Sequence, residues 1–247
     1  MKKILFIVIL LIFISSGMVS AQQELNVVAS TAWVGGIAEA AGVTNIRVLA
    51  PTELRHPTEY DFRPSDIQLA LRADYIIWAG YEPFIRRLVE AANIPEQKVL
   101  RVNTNNSPPI LRESVRTLAM QLGQEAAMST WEQKLDALAE QLQSAAKNMC
   151  VSEIAVAVQG HQQRFVEWLG YNVVAVYGPG EMTPTQLANV LKENPVMIID
   201  NWHSAQGQPL VTAEKSYHSL LNFPGTEGTR TLLDVIKYNG KQLGLIP

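Results

Sequence analysis

Two histidines, His56 and His161, each follow an apolar run typical of a strand and precede a segment typical of a helix. A neutral imidazole binds transition metals and also hydrogen-bonds polar solutes. In open α/β sheets, ligands bind at the edge formed by the carboxyl ends of the strands. Because both histidines are expected at such an edge, they point into one cleft if the two halves of the chain face each other.

Three further side chains could extend a site built on these histidines. Asp200 and His203 follow the apolar run 196–199, and Glu181 lies just before Thr183, a good helix N-cap. A carboxylate combined with imidazoles suits zinc or manganese. Each residue also has a structural interpretation: Asp200 could cap a loop, His203 could be solvated, and Glu181 could flank the helix cap.

The segment around the first histidine resembles a known family. It has His-Pro-x-x-Tyr followed by an acid at residues 56–61, Pro-Ser-Asp-Ile at 64–67 and Ala-Asp-Tyr-Ile-Ile-Trp-Ala-Gly at 73–80. These motifs are similar to those of the metal-binding receptors of zinc and manganese ABC importers. The resemblance implies that His56 is the first metal ligand and that His161 takes the place of the third.

Two other ligand positions of that family differ in this chain. The family's second histidine lies in an Asp-Pro-His-x-Trp segment, whereas residues 103–109 here contain neither a histidine nor an acid. The family's final aspartate corresponds to Asn222, which offers only a neutral carbonyl oxygen. The resemblance therefore implies a site that keeps at best two of the four family ligands. By their residue types and positions, Asp200 and then Glu181 or His203 could help to complete it.

Strand-like and helix-like segments alternate on both sides of a helical stretch. Such alternation predicts parallel sheets with helices on their faces, and the resemblance implies two lobes joined by a long bridging helix. We therefore expect an α/β fold with two lobes, each a parallel sheet flanked by helices. The expected division is a signal peptide at 1–21, an N-terminal lobe at 22–107, a helical connection at 108–148 and a C-terminal lobe at 149–247.

Within the helical connection, apolar residues recur at spacings of three and four, which is the pattern of one helix face. Gly123 indicates a stop, and Ser129 to Glu132 has the sequence of a capping box that restarts a helix. The bridging helix is expected at residues 130–147, with a length of about 27 Å at 1.5 Å per residue.

The first residues of the chain have the pattern of a secretory signal. Lys2 and Lys3 precede an apolar run at 4–14, and the small residues of Val19-Ser20-Ala21 suit cleavage after Ala21. The apolar run is shorter than the about 20 residues that a spanning helix needs. Cys150 is the single cysteine, so the cleavage site carries no cysteine for a lipid anchor. We therefore expect a periplasmic or extracellular protein.

The composition and the motifs argue against two other classes of protein. The formal net charge is −3 and no basic tract is present, which disfavours a nucleic-acid partner. His-Glu-x-x-His, Gly-x-Ser-x-Gly and paired-cysteine motifs are absent from the sequence, so an enzyme has little support.

These observations favour an exported, monomeric solute-binding receptor that delivers its ligand to an ABC transporter permease. The expected ligand is a divalent metal ion, zinc or manganese, captured between the two lobes as cargo. The alternative is a receptor for a metal chelate or a small organic solute that uses the same cleft. A cleft with room beyond a bare ion would favour this alternative.

Overall fold

Two four-stranded sheets, each parallel throughout, form the framework of the protein. A computed structural model describes residues 24–52, 54 and 56–247, so the predicted signal peptide lies outside the described residues. The strand orders are β2-β1-β3-β4 and β6-β5-β7-β8, which is the same arrangement used twice. The strands are β1 Asn26–Ala29, β2 Asn45–Val48, β3 Tyr75–Trp78, β4 Val99–Arg101, β5 Ala155–Gln159, β6 Asn172–Tyr177, β7 Met197–Asn201 and β8 Ser216–Leu220.

Helices make most of the connections between the strands, as parallel pairing requires. The predicted α/β fold with two lobes and a long helix between them is confirmed. In the described part of the chain, no helix is long and apolar enough to cross a membrane. The helices are α1 Ala32–Ala40, α2 Pro64–Arg72, α3 Pro83–Ala91, α4 Pro108–Leu122, α5 Glu125–Asn148, α6 Gln163–Leu169, α7 Pro184–Lys192 and α8 Leu232–Gln242.

The long helix α5 begins earlier than the sequence suggests. Gly123 ends α4 in the left-handed conformation, as predicted, and its N–H bonds to carbonyls of the last turn. α5 then starts at Glu125, so Ser129 and Thr130 lie inside the helix and the predicted capping-box restart there is wrong. With 24 residues the helix is about 36 Å long. The division of the chain into segments with boundaries at 107 and 148 stays a prediction.

A continuous apolar core links the two lobes through this helix. Val27 of the first sheet and Val156 of the second belong to one cluster, together with the fully buried Leu135 and Leu142 of α5. α5 packs against α4, α6 and α8, and α1 of the first lobe packs directly against α8 of the second. This shared core fixes the relative position of the two lobes and therefore the shape of the cleft between them.

The strand β8 is absent from the sequence-based prediction. Its residues, Ser-Tyr-His-Ser-Leu, are mostly polar and do not form the apolar run of a central strand. β8 lies at the edge of its sheet and pairs only with β7, so a strand with few apolar residues is sufficient there. Asn222 therefore lies two residues after the end of β8.

Candidate functional site

A cleft of about 780 Å³ lies where the carboxyl ends of the strands of both sheets meet. It is lined by residues from the segments that follow all four strands of the first lobe, β1 to β4, and all four strands of the second, β5 to β8. The residues that line it are Thr31, Trp33, His56, Pro57, Glu59, Tyr81, Asn103, Thr104, Asn105, Gly160, His161, Pro179, Glu181, His203, Ser204, Ala205, Gln206, Asn222 and Phe223.

His56 reaches the cleft from the loop between β2 and α2. It is exposed and directly precedes a short 3-10 helix, Pro57–Glu59, which begins with proline at its first position. This turn brings Glu59 into the same wall, three residues after the histidine. The chain therefore offers an imidazole and a carboxylate from one loop, a pairing that the sequence analysis did not select.

His161 comes from the loop after β5, on the opposite lobe. Its backbone N–H donates a hydrogen bond to the side-chain oxygen Oε1 of Gln159 at 2.7 Å, which fixes the turn. The residue keeps an exposed surface, but partial burial of the imidazole lowers its pKa below the ordinary 6.5. The imidazole is therefore neutral at pH 7 and able to bind a metal.

The two histidines do not occupy equivalent positions in the two sheets. His56 follows β2, an edge strand, whereas His161 follows β5, which corresponds to the inner strand β1. Both histidines were expected in loops between a strand and a helix, but the two loops are not equivalent in the two sheets. Both loops nevertheless leave the carboxyl edge of a parallel sheet, and this shared edge brings both side chains to the cleft wall.

His203 is buried at the cleft and packed among aromatic rings, so the solvated interpretation is wrong. Its ring stacks on Phe223 with centroids 3.6 Å apart, and the Asn222 N–H points at its Nδ1 across 3.5 Å. Phe223 in turn lies 6.0 Å from Trp33 of α1, between ring centroids. The imidazole thus belongs to an aromatic contact that joins the two lobes at the cleft.

Glu181 is exposed and lines the same cleft. It lies in the loop after β6, two residues before Thr183, whose hydroxyl accepts a hydrogen bond from Gln186 N–H and caps α7. The predicted cap and Pro184 at the first helical position are confirmed. Glu181 therefore lies beside the start of α7 and lines the same cleft as His161 and His56.

The structure does not bring Asp200 to the cleft wall. The carboxylate is fully buried, and its oxygens accept hydrogen bonds from the backbone N–H groups of Asn201, Gln206 and Gly207 at 2.7–3.2 Å. Tyr217 donates to the same carboxylate at 2.9 Å. Burial, with that hydrogen bond, raises the pKa of Tyr217 to about 12, so the phenol stays protonated as a donor.

Asp200 therefore shapes the loop that carries cleft residues instead of contacting a ligand itself. Its partners enclose residues 201–207, which contain four of the cleft-lining residues, His203 among them. A Cβ at Gly207 would overlap the Tyr177 hydroxyl, so the loop packs closely on the strand behind it. We assign Asp200 to this structural role, and the metal-ligand role expected from the sequence is not retained.

At the two positions where the resemblance lacks a ligand, the chain has asparagine side chains that form hydrogen bonds between the lobes and within the second lobe. Asn106 Nδ2 donates to the carbonyl oxygens of Asn222 at 2.7 Å and Leu221 at 3.3 Å. The Asn222 Oδ1 atom accepts from Gln162 Nε2 at 2.6 Å. Because the Asn222 Oδ1 atom is engaged by Gln162 and the Asn106 amide nitrogen is a donor, these two atoms are poorly placed to bind a metal.

The structure thus brings together four of the five predicted site residues. His56, His161, Glu181 and His203 line one cleft, while Asp200 lies behind it. Within residues 24–52, 54 and 56–247, no group of three or more His, Cys, Asp or Glu side chains is close enough to hold a metal ion. The cleft therefore supplies metal-compatible groups on facing walls but no complete set of protein ligands.

No protein-family model matches the sequence, and no curated protein matches it. Solved structures match the fold. The substrate-binding protein FpvC from Pseudomonas aeruginosa in complex with Mn²⁺ has a TM-score of 0.74 at 16% identity, covering 90% of this chain and 97% of that chain. Its Ni²⁺ complex gives a TM-score of 0.71 at 15% identity, covering 90% and 96%.

A laminin-binding protein of Streptococcus agalactiae, described as an adhesin with metal-transporting activity, matches with a TM-score of 0.69 at 14% identity. The match covers 91% of this chain and 100% of that chain. At such identities the likeness shows a shared fold. The chain therefore has the fold of metal-binding substrate-binding proteins, as the motifs near the first histidine suggested.

Proposed function

We propose that this protein is an exported solute receptor of an ABC importer and that it binds a divalent transition metal, zinc or manganese, as its cargo. The observation that carries the proposal is that His56 and His161, from different lobes, line one cleft. Nitrogen ligands of this kind suit zinc and other late transition metals. A permease partner and a periplasmic or extracellular location follow from this role, and the receptor acts as a monomer.

The charge of the cleft supports a cationic cargo. Among the described residues that line it, Glu59 and Glu181 carry negative charge, and none is a lysine or an arginine. The lowered pKa of His161 keeps its imidazole neutral at pH 7, so this group adds no positive charge. Clefts lined by one sign of charge concentrate ions of the opposite sign, so a divalent cation is attracted to this one.

A binding role also agrees better with the fold than a catalytic one. The solved structures reported above are described as substrate-binding or laminin-binding proteins, two of them in complex with a metal ion. The carboxylates of Glu59 and Glu181 lie on exposed loops and serve here to attract a cation. We therefore propose a receptor and no chemical step.

Replacing either histidine should abolish most of the metal affinity. We expect His56→Ala and His161→Ala each to weaken zinc binding roughly 100-fold or more, because even residues that only orient a metal ligand contribute 10–100-fold. Calorimetric titration of the exported protein with zinc and with manganese measures this directly.

His218→Ala provides the matched control for these variants. This histidine lies on β8 outside the cleft lining, and its Nδ1 contacts the Gln242 carbonyl oxygen at 2.6 Å. Its replacement should leave the affinity for zinc unchanged. Equal affinity of the wild type, His56→Ala and His161→Ala would remove both residues from the site and contradict the proposal.

A further inference from the structure

We infer that the cargo enters this cleft as a complex of the metal with a small, nitrogen-donating organic molecule, and that the complex carries a net positive charge. The inference rests on the proposed function, because it keeps the metal and the two histidines. It adds the class of molecule that fills the rest of the cleft and completes the coordination of the metal.

The cleft is larger than a site for a bare metal ion needs to be. Its volume of about 780 Å³ lies within the range of roughly 300–1,000 Å³ that is usual for small-molecule sites. A zinc ion held by protein alone needs four ligand atoms at about 2.0–2.3 Å around one point. The space here therefore exceeds what a bare ion requires and matches an ion that brings an organic partner.

The described part of the protein offers fewer ligands than a zinc ion takes. Zinc takes four ligands, yet no group of three ligating side chains stands together among the described residues. The Asn106 amide nitrogen donates to the Asn222 backbone carbonyl across the lobes, the Asn222 Oδ1 atom accepts from Gln162 within the second lobe, and the Asp200 carboxylate is engaged with its own loop. Donor atoms from outside the protein would fill the remaining coordination positions.

The lining of the cleft has the chemistry of a site for a small organic molecule. Besides the titratable groups, the walls consist of neutral hydrogen-bonding side chains and aromatic rings, a combination that orients small organic molecules. The Tyr81 hydroxyl pairs with the Thr104 hydroxyl at 3.1 Å, so both oxygens are held at the wall. The neutral polar residues are Thr31, Asn103, Thr104, Asn105, Ser204, Gln206 and Asn222, and the aromatic ones are Trp33, Tyr81 and Phe223.

The charge of the lining selects among organic partners. The two carboxylates of Glu59 and Glu181, without a lysine or arginine among the described lining residues, disfavour an anionic complex such as metal citrate. Aromatic faces and carboxylates together favour cations. An amino acid with an imidazole chelates zinc through two nitrogens and its carboxylate and releases the proton of its ammonium group. The one-to-one complex therefore keeps one positive charge and fits both conditions.

Titration of the exported apo-protein with four probes tests the inference: zinc alone, zinc with one equivalent of L-histidine, zinc with citrate, and L-histidine alone. We expect zinc–histidine to bind roughly tenfold or more tightly than zinc, because the wall gains several hydrogen bonds to the organic part. Native mass spectrometry should show protein with one zinc and one histidine. Glu181→Gln should weaken zinc–histidine binding roughly twofold to fivefold, and Glu153→Gln, an exposed acid outside the cleft, should not.

Four results would overturn the inference. Zinc alone binding as tightly as zinc–histidine, with a bound mass of zinc only, would reject it while leaving the proposed function in place. Zinc–citrate binding as tightly as zinc–histidine, or L-histidine binding equally well without metal, would also reject it. Failure of zinc to bind in any of these forms would contradict the proposed function itself, and the inference with it.

Discussion

Replacing Asp200 with alanine will lower the free energy of unfolding by about 3 kcal/mol or more. Asp200 is fully buried, and the substitution removes the acceptor of two buried backbone N–H groups, of the half-buried Gln206 N–H and of the half-buried Tyr217 hydroxyl. Each buried donor without a partner costs about 1–3 kcal/mol. Urea unfolding monitored by circular dichroism measures the loss.

Asp61→Ala is the matched control for this experiment. Asp61 is exposed and pairs with Arg87 at 3.2 Å across the surface, an arrangement that contributes about 1 kcal/mol or less. Because Asp200 holds the loop that carries His203 and Gln206, its variant should also bind zinc more weakly than the control does. Equal stability of the two variants would show that the Asp200 carboxylate does not stabilise the loop at residues 201–207.

Introducing proline at Leu138 will destabilise the protein by about 3 kcal/mol or more. Leu138 lies in the middle of α5, so the proline ring removes a backbone N–H donor and clashes with the preceding turn. Since α5 packs against helices of both lobes, the damage extends to the shared core. The midpoint of thermal unfolding should fall accordingly.

Leu138→Ala separates the effect of the backbone from that of the side chain. Leu138 is half-buried and packs against the core cluster, so the alanine variant loses apolar contacts but keeps the helix. We expect its unfolding midpoint to lie between those of the wild type and the proline variant. A proline variant as stable as the alanine variant would mean that this segment does not act as a structural helix.

Much of the fold could be predicted because its signals are local. The strands β1 and β3 to β7 are apolar runs, and the helix ends at Gly123 and Thr183 follow from conformational preferences of single residues. The start of α5 could not be predicted, because Ser129 to Glu132 has a capping sequence that the continuing helix overrides. β8 was missed because an edge strand requires few apolar residues.

The site could be predicted only in part, because burial and hydrogen bonding decide which candidates reach the cleft. His56 and His161 follow strands, and that position alone directs them to the carboxyl edge of their sheets. Asp200 also follows a strand, but the backbone N–H groups of residues 201–207 capture its carboxylate. A sequence does not show how a loop folds back, so the two outcomes look alike before the structure is known.

The cleft-lining amides and aromatic rings were also invisible to the sequence as a group. Thr31, Tyr81 and Gln206 come from separate loops and share no spacing pattern. Glu59 had a weak signal, since it lies three residues after His56 in a loop that begins with proline. Only the arrangement of two parallel sheets around one helix places these residues on a common wall.

The most direct test of the central claim is a crystal structure of the zinc-loaded protein, with data collected on both sides of the zinc absorption edge. The account predicts one strong anomalous peak in the cleft, about 2.0–2.1 Å from a ring nitrogen of His56 and from one of His161. Peaks only at sites remote from both histidines, in protein saturated with zinc, would contradict it.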